Sequence, residues 1–231
     1  RMALEMSDTA FEGQDDRALL ASWRAGDRRA GRALVERHYE SIARFFRNKV
    51  DDSAEDLVQQ TFMGLVQGRD RFRGDASFRT YVFMIARKRL YSYLRDRDRN
   101  REPMEVSTTS VADLGMVSPS RAVLVRQEQH LLLQALRRLP IEMQVALELY
   151  YWEELGVAEI ADVLETPVGT VKSRLQRART RLDEIIVQLS ESDDLLKSTM
   201  DNFDKWAKEL QAHLGPKAGE GLRVPPESDP E

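Results

Sequence analysis

Between residues 166 and 182 the chain carries five Lys or Arg (Lys172, Arg174, Arg177, Arg179, Arg181) and no Asp or Glu, although its formal net charge is −4. Such cations hold phosphates, and the Ser173, Gln176 and Thr180 side chains among them can exchange hydrogen bonds with base edges. On a 3.6-residue period Val168, Val171, Leu175, Ala178 and Leu182 share one face, and Ser173, Gln176, Arg177 and Thr180 share the other. Thr166 is a suitable N-cap and Pro167 suits the first helical position, where a missing N–H costs nothing. Upstream, Gly156 caps a shorter helix with Ile160, Ala161 and Leu164 on its apolar side. Two helices at a tight turn, the second basic, fit a helix-turn-helix lying in a DNA major groove. An amphipathic helix with a solvated basic face has the same composition, and helix chemistry alone leaves both readings open.

A second concentration of charge lies between residues 69 and 101, with eleven Lys or Arg against four Asp. There Tyr81, Met84, Lys88, Tyr91 and Arg95 recur at helical spacing opposite Phe78, Val82, Ile85, Leu90 and Tyr93. Rings interleaved with cations suit single-stranded nucleic acid, whose bases stack on aromatic faces while its phosphates meet Lys and Arg. Packing of Tyr81 and Met84 against another helix is the structural alternative.

Other chemistry is poorly supplied. The three histidines are isolated and there is no cysteine, so neither a disulfide nor a thiolate-bound metal can form. His38, on an apolar helix face, reads as a core histidine with a satisfied ring. Glu55 and Asp56 stand in a first helical turn, where acids serve the helix dipole. Without a glycine-rich phosphate loop or a nucleophile–base pair, no catalytic residue, cofactor or metal is expected. No apolar run approaches the roughly 20 residues needed to span a bilayer, so a soluble cytoplasmic protein without membrane insertion is expected. A pI near 5.6 requires any DNA contact to come from local patches.

These patches must be held by helices. Periodicity places helices at 16–25, at 28–50 (Leu34, Val35, His38, Ile42, Phe45, Phe46 and Val50 inward) and from about residue 54, behind a capping box at Ser53. That third helix would bury Leu57, Val58, Phe62, Leu65 and Val66 and expose Glu55, Asp56, Gln59 and Gln60. A further helix starts near Ser77. Helical spacing then stops and Ser, Thr, Pro and Gly take over, which marks a linker. It resumes at Leu124, breaks at Pro140 and continues over 141–154, where Tyr150, Tyr151 and Trp152 read as core and surface aromatics. The expected organisation is a flexible lead (1–14), a first helical domain (15–101), a linker (102–121), a second helical domain (122–189), an amphipathic helix (190–216) and a disordered tail (217–231). From residue 190 onward ten acidic residues face five basic ones. Leu196, Met200, Phe203, Trp206 and Leu210 line one side of that last helix, a face too apolar to leave in water.

Three segments together, DLVQQTFMGLV (56–66), FRGDASFRTYVFMIARKRL (72–90), and LRRLP followed by EIADVL and PVGTVKSRLQRARTRL (136–182), resemble the extracytoplasmic-function sigma factors, small bacterial members of the sigma-70 family. The resemblance covers about residues 16–186 and implies an all-α fold. Its parts are a sigma region 2 bundle and a sigma region 4 helix-turn-helix on a flexible linker, here with an added C-terminal helix. It also implies that the chain binds RNA polymerase core and promoter DNA, the first domain melting and reading the minus-10 element and the second reading the minus-35 element. Asp56, Gln59 and Gln60 would then meet polymerase. The 72–78 loop, with Phe72, Arg73 and Ser77, would lie beside the non-template strand, and Tyr81, Lys88, Tyr91 and Arg95 near unpaired bases. Lys172, Ser173, Gln176 and Arg177 would read minus-35 bases while Arg174, Arg179 and Arg181 hold phosphates. The family often has Trp at the position of Tyr81 and Asn at that of Lys88, which leaves the base preference open. Many relatives are held by an anti-sigma factor. The acidic C-terminal helix is expected either to restrain the domains or to dock on a partner. A helix-turn-helix regulator acting without polymerase is the alternative, but it leaves 56–66 and the stripe around Lys88 without a role.

Overall fold

The computed structural model describes residues 11, 13–50, 52–97, 109–110, 112 and 127–190, and all named secondary structure among them is helical. The eight helices are α1 (Asp16–Arg24), α2 (Arg28–Arg47), α3 (Ala54–Gly68), α4 (Phe78–Arg97), α5 (Gln127–Arg137), α6 (Ile141–Tyr151), α7 (Val157–Leu164) and α8 (Val168–Leu189). The proposed lead (apart from residues 11, 13 and 14), most of the linker, Leu124, the C-terminal helix with Leu196, Met200, Phe203, Trp206 and Leu210, and the tail lie outside the described residues.

The first two helices meet as their caps and small residues dictate. Asp15 caps α1 by accepting from the Ala18 N–H, and Gly26, at φ 102°, turns the chain so that Asp27 caps α2. Gly31 lets α1 lie close: a Cβ there would stand 2.5 Å from Trp23 Nε1. Helix α3 begins at Ser53, but the capping box does not form. The Ser53 side chain makes no cap hydrogen bond, while the neighbouring Glu55 ties α3 to α2 by accepting from Tyr39 and Arg47. Asp56, the acid at the third helical position that would complete the box, stays exposed.

Helix α4 is the centre of the molecule. It packs on α3 and α2 on one side and on α7 on the other, so Phe78, Val82, Phe83, Ala86, Leu90, Tyr91 and Leu94 are all buried. A helix with apolar residues around most of its circumference is one enclosed from several sides. One core cluster accordingly runs through both halves of the chain, from Phe45, Phe46 and Phe83 to Ile141, Val145, Ile160 and Leu164. A second, with Leu132, Leu136, Leu139, Trp152, Ala178, Leu182 and Ile186, holds α5, α6 and α8 together. Part of the linker is also pinned. Thr109 and Ala112 exchange backbone hydrogen bonds with Ile141 and Arg137, and a bridge joins Ser110 to Pro140 across the α5–α6 turn.

The tight turn between α7 and α8 differs in detail from the sequence expectation. Pro167, not Thr166, occupies the cap position of α8, and Thr166 Oγ1 is buried without a hydrogen-bond partner. The reason lies one residue earlier. Glu165 closes α7 in the left-handed region, at φ 52° and ψ 44°, which displaces the start of the next helix.

Candidate nucleic-acid interface

Helix α8 presents Lys172, Ser173, Gln176, Arg177 and Thr180 to solvent on one side and buries Val171, Ala178 and Leu182 on the other. Ser173 donates to the Thr170 carbonyl and the Arg177 Nε to the Ser173 carbonyl, which keeps both side chains along the helix surface. Val168, expected on the apolar face, is 44% exposed because it opens the helix beyond the reach of α7. Three of the cations placed on phosphates have protein partners. Arg174 is drawn inward onto Glu142 of α6, its side chain only 12% exposed. Arg179 donates to the Tyr151 hydroxyl and lies over that ring, and Arg181 pairs with Glu184 at 2.8 Å. Arg174 is thus a link between helices in this arrangement, not a surface cation.

The second patch is assembled around the loop before α4. Arg24 of α1 donates to the Arg69 and Phe72 carbonyls and so fixes the loop's entry. Phe72 stacks on Tyr81 with ring centroids 4.6 Å apart and meets Phe78 edge-on at 6.1 Å. The Tyr81 hydroxyl donates to the Gly68 carbonyl, and a Cβ at Gly68 would stand 2.5 Å from the hydroxyl oxygen, so any larger residue there would have to push the tyrosine aside. Phe72, Arg73, Tyr81 and Met84 line one wall of an open cleft of about 650 Å³. The other wall is Asp162, Glu165, Thr166 and Pro167, from the helix-turn-helix.

Four of the proposed minus-10 residues therefore sit as follows: Phe72 and Tyr81 form the ring pair, Arg73 is exposed beside it, and Lys88 is exposed one helical turn beyond Met84. Ser77 donates to Glu159 Oε1 of α7 at 3.1 Å. Arg95 is exposed near the far end of α4. Tyr91 departs from the expectation of an exposed ring. It is 8% exposed, under Arg87 at 4.7 Å, and burial, partly offset by Arg87, pushes its hydroxyl pKa up to about 12. The second half of the chain covers the face on which spacing placed it. Asp56, Gln59 and Gln60 lie together in solvent on α3, with Met63 44% exposed beside them. His38 is the satisfied core histidine expected, 2.7 Å from Asp16 Oδ2. Burial would raise the Asp16 pKa, but His38 and Arg37 outweigh it and the group lies below its usual range.

Sequence reasoning missed the acids and bases that join the two halves. Glu148 of α6 accepts from Lys49, from Asn48 at 2.5 Å and from Gln144 at 2.8 Å, and Arg137 reaches the Asn48 side-chain oxygen at 3.2 Å. Glu153 takes Arg44 at 2.9 Å and Arg79 at 2.6 Å. Glu159 accepts from Thr80, Ser77 and the Gly156 N–H. Burial would raise the Glu159 pKa, yet these donors outweigh it and hold the carboxyl below its usual range. Glu165 pairs with Lys88 at 2.8 Å and Arg87 at 3.1 Å. The Lys88 hydrogen bond is the main reason its carboxyl is also held low. The signal was available at one of these sites: Glu148 interrupts the apolar run VALELYY, and a carboxylate there must find a partner once buried.

Among the described residues no group of acids and histidines could hold a metal ion, and no helix is long and apolar enough to cross a membrane. The chain matches the family models for sigma-70 region 2, over residues 34–100, and sigma-70 region 4, over residues 129–182. It is similar to the RNA polymerase sigma-H factor of Pseudomonas aeruginosa, 30% identical over 185 residues that cover 76% of this chain and 96% of that one. The ECF RNA polymerase sigma-E factor of Haemophilus influenzae is 29% identical, covering 75% and 96%. Two solved structures have the same fold. One is the sigma factor RpoE with the anti-sigma factor NepR from Bartonella quintana, at a TM-score of 0.51 and 26% identity over 68% of this chain and 94% of that one. The other is CnrH with the cytosolic domain of CnrY, at a TM-score of 0.54 and 25% identity over 76% and 99%.

Proposed function

We propose that this chain, which belongs to the extracytoplasmic-function group of the sigma-70 family and is thus a transcription initiation sigma factor, works in the bacterial cytoplasm by binding RNA polymerase core and directing it to promoters through two separate DNA contacts. The first domain (15–101) takes the minus-10 element and the second (122–189) the minus-35 element. The observation that carries this reading is the exposed row Lys172, Ser173, Gln176 and Arg177 on the second helix of the turn. It supplies a phosphate-binding cation, two base-edge hydrogen-bonding groups and one guanidinium able to take a guanine bidentately. Region 2 supports the other contact. Phe72 and Tyr81 form a ring platform on which extruded bases can stack, while Arg73, Arg87 and Lys88 supply charge for the backbone. Stacking in that cleft offsets the few kcal/mol lost when bases unstack, so opening needs no catalytic residue. Asp56, Gln59 and Gln60, with Met63 among them, form the surface for polymerase. An anti-sigma factor is a further partner, supported by the two solved relatives, each a complex with such a protein or with a cytosolic domain bound to it.

Transcription in vitro with purified core polymerase on a library of genomic fragments, with start sites mapped, tests the reading. Start sites that need both proteins and share upstream and downstream elements are expected. Initiation by core alone at the same sites, or none with the chain added, would refute it. Operator binding without polymerase would point to the regulator instead.

A further inference from the structure

The single-strand surface of α4 is already occupied by acids of the same chain. Glu165 holds Lys88 and Arg87, Glu159 holds Ser77 and Thr80, and Asp162, Glu165 and Thr166 wall the cleft opposite Phe72 and Tyr81. Glu165 does so from a left-handed backbone conformation, φ 52°. That region costs a residue with a Cβ about 1 kcal/mol or more and is where helices usually place Gly or Asn. A glutamate at this position is not explained by the turn, but it is explained by what its carboxylate reaches.

We propose that Glu165, assisted by Glu159, is an internal stand-in for the DNA backbone: it clasps the helix-turn-helix half onto α4 and withholds the single-strand surface until that clasp is released. The inference rests on the reading of α4 as the strand-opening surface. The closed form has two parts of different character. At one end Lys49 and Glu148 are 1% and 2% exposed and packed into the shared core, where salt screens little. At the other, Lys88 and Glu165 are 60% and 47% exposed, so their pairing is weak, screened by salt and open to competition from phosphate. The outer clasp can yield to a polyanion while the inner contact still holds the halves together. The upstream reader on α8 is exposed in the closed form, so duplex can be engaged before the single-strand surface is released.

The absence of cysteine in the full sequence makes the test direct. Spin labels at Glu40→Cys and Gln188→Cys, both exposed and outside the contacts, report the distance distribution between the halves. A fluorescent single-stranded oligonucleotide reports access to α4. Glu165→Gly removes the carboxylate while favouring the left-handed turn, so the fold should hold. Glu165→Asn, also tolerant of that region, serves as a second variant. Both are expected to broaden the distance distribution and to tighten oligonucleotide binding about three- to tenfold, the worth of one or two exposed ion pairs. They should also steepen the slope of log K against log salt by roughly 1.4. Arg87 and Lys88 would now each release about 0.7 of a counterion on binding a single strand, instead of exchanging one carboxylate for another. Unchanged affinity and unchanged salt slope overturn the proposal, even if the distances broaden. If the same variants still drive start-site-specific transcription with core polymerase, only the clasp has failed. If neither they nor the unaltered chain do so, the sigma reading itself has failed.

Discussion

The two regions proposed to face DNA are built from the same kinds of residue but are left in opposite states. Helix α8 turns Lys172, Ser173, Gln176 and Arg177 to solvent, whereas α4 has Arg87 and Lys88 paired with Glu165 and one side covered by the helix that precedes α8. A reader of duplex DNA works on groove edges that are always on display and can stay open. A surface for unpaired bases finds its ligand only after strands separate, and an exposed ring-and-cation cleft would meanwhile bind any single strand. On the proposed reading, one chain combines a permanently available reader with one that has to be released.

The largest effect is expected where the two regions are joined. Lys49→Ala or Glu148→Ala leaves an uncompensated charge in the core and should cost about 3–5 kcal/mol in denaturant unfolding. The double change Lys49→Met with Glu148→Leu should recover only part of it, because it removes both charges together but leaves the buried Asn48 and Gln144 amides without their acceptor. Next comes the open reader. Arg177→Glu should weaken use of specific promoters by about 1–3 kcal/mol, measured as the concentration of holoenzyme needed for half-maximal transcription. In the covered surface, Tyr81→Leu should lose about 1–3 kcal/mol of stacking per base on forked or single-stranded promoter DNA, with little effect on duplex upstream binding. Lys88→Ala should be smaller, about 1 kcal/mol, and visible in strand opening more than in initial binding.

The smallest effect is on pH. Glu165 and Glu159 have carboxyl pKa values held below the ordinary 4.5. Their contribution to closure is therefore complete above that value and lost as pH falls through the lower folded-state values. The spin-label distance distribution should broaden in acid, and Glu165→Gln, already open, should broaden less.

How far the sequence reaches follows the same division. The exposed and buried faces of α8 were legible because the helix is amphipathic in the simple sense, with apolar residues on one side and Lys, Ser, Gln and Arg on the other. So were α1 to α3 as helices, where apolar spacing marks the inner faces, and so was His38 as a core residue. Helix α4 was legible as a helix but not in its orientation. Its apolar residues point several ways, so periodicity could not tell that Tyr91 would be buried against the other half. Arg174 misled for a related reason: it lies beside the basic face, and only the approach of α6 brings Glu142 to it. Pairs such as Arg44 with Glu153 or Lys88 with Glu165 join residues far apart in sequence, and no local pattern couples them. Ser53 shows the converse, a good local capping signal that the structure does not use: its side chain makes no cap hydrogen bond and Asp56 stays in solvent.

The central claim, that one chain holds two separable promoter contacts, is tested most directly on a single promoter bound by reconstituted holoenzyme, with footprinting and permanganate reactivity read together. Arg177→Glu should lose upstream protection and melting alike, while Tyr81→Leu keeps upstream protection and loses permanganate-reactive thymines. Equal loss of both signals in both variants, or loss of neither, would contradict it.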